Sequence, residues 1–166
     1  CEKRRLAPAA LARACGAIGS THEFHYDAFL AQAFPRGTAF PPLPPPSAPA
    51  GLPLAEGVRA FSIDDATTTE IDDAFSVRER PQGGWRIGIH IAAPALGIAA
   101  GDAYDAIARD RLSTVYMPGR KITMLPDAVV DAFSLKAGAA RPALSMYVDV
   151  DDAGVPVQHE TRVERV

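Results

Sequence analysis

From Ala74 onward the chain alternates apolar and polar residues with the period of two that a half-buried strand requires. Ala74 to Arg80 and Trp85 to Ala92 predict the two arms of a hairpin, turned by Pro81-Gln82-Gly83-Gly84, with Trp85, Ile87, Ile89 and Ile91 on one face. A second hairpin is predicted at the end: Leu144, Met146, Val148 and Val150 alternate, Asp151 to Gly154 turn, and Val155 to Val163 return. Ala60 to Ile63 reads as a short strand ahead of the first hairpin. Helical spacing replaces alternation elsewhere. Asp102 is a candidate N-cap for a helix running to about Leu112, and another helix starts near Asp127 with Val129, Val130 and Phe133. Residues 5 to 34 read as two short helices. Pro8 suits a first turn, Gly16 marks a stop, and Ser20 with Glu23 makes a capping box. The stripe Phe24, Ala28, Ala31 and Phe34 that follows is read as a packing face.

Between the helices and the strands, Pro35 to Pro53 holds eight of the 15 prolines. Proline lacks an amide donor and disfavours helix before it, so this is a stiff extended connector; a ligand for a Pro-binding groove is the alternative. The chain thus divides into a helical segment (1–34), a Pro-rich linker (35–56) and a main domain (57–166). Hairpins mixed with helices predict an α/β (α+β) domain, with helices packed on a mixed, partly antiparallel sheet.

Composition narrows the classes. A hydrophobic share of 48% and a charged share of 22% exclude disorder throughout. The net charge of −3 argues against a free-standing binder of nucleic-acid phosphates, although a metal held by acids inverts the local charge. Cys1 and Cys15 make no disulfide framework, which fits a reducing cytoplasm. The most apolar long stretch, Ile87 to Gly101, contains His90 and Pro94 and is too short to cross a bilayer, and no signal peptide is evident. A start at Cys1 and a stop at Val166 inside a charged, strand-like run read as a piece of a longer protein.

Phe61 to Phe75 is the segment that carries chemistry. Five of the chain's 20 acids fall within ten positions there: Asp64, Asp65, Glu70, Asp72 and Asp73. Such density is tolerated when the acids are solvated or neutralised by a cation. Strands on both sides fix the loop ends, so Asp64 and the Asp72-Asp73 pair are expected to converge. Carboxylates suit Mg²⁺, which keeps waters and takes further ligands from substrate phosphate; Mn²⁺ fits the same donors. Paired ions in such a site activate water and stabilise a leaving oxygen. A solvated acidic turn is the alternative. An EF-hand is excluded, because its Gly and its final acid are missing.

The spacing Ser62-Ile63-Asp64 through Asp72-Asp73-Ala74 resembles the signature of the RNase II/RNase R family, the RNB catalytic domain. Three further blocks follow in that family's order: Gly88-Ile89-His90-Ile91-Ala92; Arg111 to Gly119 with Met124-Leu125-Pro126; and Ser134-Leu135 with Arg141 to Ser145. The resemblance covers residues 60 to 150. It implies Mg²⁺-dependent hydrolysis of single-stranded RNA from the 3′ end, with release of nucleoside 5′-monophosphates. It also implies catalytic roles for Asp64, Glu70, Asp72 and Asp73, with Asp64, Asp72 and Asp73 on the metal, and a stacking role for Tyr116 against the terminal nucleotide. A catalytic arginine, a further glutamate and flanking RNA-binding barrels belong to parts of the family domain that this chain does not include, so the chain alone is expected to be inactive.

Two positions depart from the pattern. Glu70 stands where the family has Asp, and Ala93 where it usually has Asp. They sustain a second reading, a degenerate RNA-binding or regulatory module that keeps the fold. Arg111 and Arg120 are candidate RNA contacts, with Lys121 beside Arg120; an ordinary basic pair is the plain alternative. His90 is expected to be packed within its strand, and His22 with His25 to be a solvated face.

Overall fold

The computed structural model describes residues 7–166 and falls into two compact units, with the boundary between Pro41 and Pro42. Cys1 and the expected helix start at residues 5 and 6 lie outside the described residues. Cys15 is an exposed free thiol.

In the first unit, α1 (Pro8–Ala14) begins on Pro8, and Gly16, at φ +72°, follows its end. Helix α2 (Thr21–Ala33) is capped as expected, Ser20 Oγ accepting the Glu23 amide at 3.0 Å. The stripe along α2 is not a buried packing face. No residue of α2 is buried, and Phe24 stays 40% exposed. Among the described residues of its unit, α2 has seven-residue α1 as its one neighbouring helix, too little surface to cover an apolar face.

The second unit holds β1 (Asp73–Glu79), β2 (Trp85–Ala92), a 3₁₀ turn at Pro94–Leu96, α3 (Ala103–Arg111), β3 (Val115–Met117), β4 (Arg120–Ile122), α4 (Asp127–Phe133), β5 (Pro142–Val150) and β6 (Pro156–Arg165). Both expected hairpins form. They join into one sheet in the order β1-β2-β5-β6, antiparallel at every ladder, with a single parallel bridge from Leu54 to Arg165 at its β6 edge. Gly84, at φ +74°, closes the first hairpin; a Cβ there would meet the Val150 carbonyl oxygen at 2.0 Å. The strand expected at Ala60–Ile63 is a single bridge from Phe61 to Phe75. Asp102 caps α3 by accepting the Asp105 amide at 2.8 Å.

Directly opposed residues of antiparallel strands share a face. Asp73, Ile91, Leu144 and Val163 form one row, and Phe75, Ile89 and Met146 the next. This face carries much of the exposed apolar surface, including Val77, Trp85, Ile91, Leu144, Met146 and Val163. The opposite face is the buried one, and it is polar. His90 is fully buried and bonded on both ring nitrogens, Nε2 to Ser76 Oγ at 2.9 Å and Nδ1 to Ser145 Oγ at 2.8 Å. Gly88 makes the room, since a Cβ there would lie 2.3 Å from Ser76 Oγ. Farther along, Arg86 grips Asp149 through two parallel bonds of 2.6 and 2.9 Å and so holds that carboxyl below the usual range. Tyr147 Oη donates to Glu164 at 2.5 Å. Such buried groups are tolerated because each has a partner.

The apolar core lies away from the sheet. Tyr104 of α3 packs with Leu125, Val129 and Phe133 at α4, and Leu43 and Ile98 close the cluster. Leu43 shows that the Pro-rich segment is not a free linker over its whole expected span of 35–56. From Pro42 on it belongs to the second unit: Tyr104 Oη donates to the Pro44 carbonyl at 2.5 Å, and Leu54 bridges Arg165 beside β6. Proline carbonyls keep their acceptors, so an extended Pro-rich strand can be fastened by donors from its neighbours. Among the described residues, no helix is long and apolar enough to cross a membrane.

Candidate active site

The acidic loop is stapled at its base. Phe61 and Phe75 exchange two backbone bonds, of 2.8 and 2.7 Å. Asp64 follows the staple by three residues and Asp72 precedes it by three. Further ties hold the C-terminal arm. The Ala92 amide donates to the Asp72 carbonyl at 2.8 Å, so β2 fixes the backbone of Asp72 itself. At the end of α4, Ser134 Oγ accepts the Ile71 amide at 2.8 Å and the Leu135 amide donates to the Ile71 carbonyl at 2.8 Å. The Ser134-Leu135 block therefore braces the residue before Asp72. At the loop tip the Thr68 amide bonds the Asp65 carbonyl at 2.9 Å.

Electrostatics follow from this shape. The Asp72 carboxyl sits above its ordinary range, first through loss of water and then through the negative charges of Glu70, Asp73 and Asp64; Lys121 opposes them. The charges of the other three signature acids are thus felt at Asp72. Asp64, Asp72 and Asp73 are exposed, and Glu70 is partly buried. Glu70 and Asp72 lie at a cavity of about 110 Å³ whose lining includes Met124, Leu125, Val129 and Phe133.

Among the described residues, no three or more His, Cys, Asp or Glu side chains form a group that could hold a metal ion by themselves. The expected convergence of Asp64 with the Asp72-Asp73 pair therefore does not make a ready-made cage of three acids. Mg²⁺ does not require one, since it takes one or two carboxylates and completes its shell with water and phosphate. The donor chemistry and the negative potential at Asp72, only partly offset by Lys121, fit that mode.

The other sequence candidates separate clearly. Tyr116 is 71% exposed on β3, opposite Lys121 of β4. Lys121 turns to the acidic loop: its Nζ donates to Thr69 Oγ1 at 2.8 Å and to Glu70 Oε1 at 2.9 Å. Arg120 pairs with Met117 on the ribbon's other side. Arg111 donates to the Thr123 carbonyl at 2.8 Å and fastens the end of α3 to the segment after β4. Ala93 is the N-cap of the Pro94–Leu96 turn and supplies no side-chain bond. Sequence reading missed Ser134 and Thr69 as loop supports. The only signal was that Ser134 falls in one of the ordered blocks.

The RNB domain is the family whose sequence model matches residues 55–164. Over 119 residues the chain is 39% identical to "Exoribonuclease 2" of Sodalis glossinidius, a match covering 66% of this chain and 18% of that protein. Among solved structures, Mycoplasma genitalium RNase R in complex with ribose methylated single-stranded RNA superposes with a TM-score of 0.64 at 21% identity, covering 70% of this chain and 18% of the other. Yeast Ssd1, described as a pseudonuclease, gives a TM-score of 0.66 at 22% identity, covering 76% of this chain and 16% of the other. The chain thus spans less than a fifth of the length of each, and the fold occurs with and without nuclease activity.

Proposed function

Because the chain belongs to the RNB domain family, we propose that its acidic loop supplies the metal-binding acids of an exoribonuclease. The enzyme hydrolyses single-stranded RNA from the 3′ end and releases nucleoside 5′-monophosphates. The observation that supports this reading is that loss of water and the negative charges of Glu70, Asp73 and Asp64 together raise the Asp72 carboxyl, on a loop braced by β1, β2 and α4. Repelling carboxylates held by a rigid frame are a site for a cation.

In this reading one or two of Asp64, Asp72 and Asp73 would hold Mg²⁺, or Mn²⁺ in its place, with water and substrate phosphate completing the shell. When bound, the ion supplies positive charge at the scissile phosphate and acidifies an attacking water. The chain's own groups set the stage. Asp72, fixed through its backbone to Ala92, gives the acids a common reference. Glu70 completes the acidic rim and shares its charge with Lys121. Tyr116 offers an exposed ring on which any terminal base stacks, as sequence-independent degradation requires. Arg111 supports the ribbon that carries Tyr116, and Arg120, on the ribbon's other side, is assigned an outer phosphate contact. An exposed, unpaired Cys15 suits a cytoplasmic setting.

The rival reading, a degenerate binding module, leans on Glu70 and Ala93. Glu70 keeps its charge and is paired, and Ala93 sits at the cap of a 3₁₀ turn, where an acid would serve the backbone. Neither removes a metal-binding acid.

The test is Asp72→Asn in the polypeptide that carries this chain together with the remaining length its relatives possess. Release of mononucleotides is expected to stop while RNA retention on a filter stays unchanged. Undiminished release contradicts the assignment.

A further inference from the structure

Tyr116 and Lys121 are directly opposed across the β3–β4 ribbon. Opposed residues of an antiparallel pair project from the same face. The neighbour of Lys121, Ile122, is buried, so alternation turns Lys121 and Tyr116 outward together. From that face Lys121 spans to the acidic loop and donates at once to Thr69 and Glu70. The Glu70 side chain is 12% exposed and the Lys121 side chain 37%, so this is a two-acceptor tie at the surface with its carboxylate end partly desolvated. Glu70, one methylene longer than the Asp of the usual signature, extends the loop's reach toward the ribbon.

We infer that Lys121 is a positioning residue: through Thr69 and Glu70 it registers the Tyr116 ring against the acids of the loop, and so fixes which nucleotide lies over them. The inference rests on the proposed RNA site and adds to it a residue that the acidic signature does not contain. It assigns Lys121 no contact with the reacting atoms. Its two bonds instead decide whether the ribbon and the loop keep one spacing when a strand threads between ring and acids.

The test uses the full chain with Mg²⁺ and a short single-stranded RNA ending in 4-thiouridine, irradiated and mapped by mass spectrometry. The 3′ nucleotide is expected to crosslink to Tyr116 in the unsubstituted chain. Lys121→Met should lower that crosslink about tenfold, the scale of a lost base–ring stack, and spread it to other residues. Lys121→Arg, which restores a donor of the same charge, should recover it. Thr69→Val, which removes one acceptor from an exposed loop, should give an intermediate loss and keeps the test open should Lys121→Met unfold.

An unchanged Tyr116 crosslink in Lys121→Met and Thr69→Val overturns the inference and leaves the proposed site standing. Failure of Lys121→Arg to recover the crosslink also overturns it, because the tie would then not be what positions the ring. No Tyr116 crosslink in the unsubstituted chain removes the RNA site itself, and the inference with it.

Discussion

The Ser134 hydroxyl accepts the amide of Ile71 at 2.8 Å, 63 positions back along the chain and one residue before Asp72. A side chain at the end of α4 therefore sets the backbone of the acidic loop, and it does so from a site that is 3% exposed. Helix packing and site geometry are linked through this one bond.

Ser134→Ala leaves the Ile71 amide without its partner, which costs about 1–3 kcal/mol in a buried setting. Urea unfolding of the variant should show that loss as a lower midpoint at unchanged slope. A midpoint equal to that of the unsubstituted chain would mean that the loop holds its shape without α4.

His90 predicts the acid limit. Burial lowers its proton affinity from the ordinary 6.5, and the charge of Glu164 opposes this only in part. A group whose folded value lies below its unfolded one contributes stability above the unfolded value and loses it as pH falls through the folded one. Stability should therefore decline from about pH 6.5 downward, the unfolded value of a histidine. In His90→Asn this decline should flatten, whatever the variant's stability at neutral pH. Parallel curves for both proteins would rule the histidine out as its source.

Tyr147 predicts the alkaline limit. Loss of water and the bond to Glu164 push its hydroxyl from 10.0 up to about 12. A raised folded value means that the contribution is complete below the unfolded value and disappears as pH rises through the folded one. Unfolding monitored between these two values should show a steep loss that Tyr147→Phe lacks. The same slope in both would assign it to other groups.

Ala93 predicts a gain. It caps the Pro94–Leu96 turn without a side-chain acceptor, so Ala93→Asp should stabilise the domain by about 1 kcal/mol by accepting a free amide of that turn. Thermal or urea unfolding measures it. A destabilised variant would show that the turn has no room for the carboxylate.

How much of this was legible in the sequence depended on whether a local pattern determines the contact. The two long hairpins were, because alternation and turn residues are local and act together from Ala74 to Ala92 and from Leu144 to Val163. The β3–β4 ribbon was not: three-residue strands around Pro118-Gly119 are too short to show a period. Without that ribbon's register nothing distinguishes Lys121 from Arg120, and the pair reads as two equivalent cations. The acidic segment between Phe61 and Phe75 shows in the spacing itself. Its supports at Ser134, Ala92 and Thr69 do not, since long-range bonds leave no periodic trace. The Pro-rich stretch read as a spacer because composition shows stiffness but not the donors, such as Tyr104, that fasten it.

The account stands on the acidic loop gathering a divalent cation together with RNA. Titration of Mn²⁺ into the chain with a short single-stranded RNA, following free Mn²⁺ by electron paramagnetic resonance and subtracting the RNA alone, tests this directly. Asp65, a loop acid outside the signature, is the control. Binding should persist in Asp65→Asn and weaken at least about tenfold in Asp72→Asn, since losing even a group that only orients a metal ligand costs that much. Equal binding in the two variants would reduce the loop to a solvated acidic turn and contradict the account.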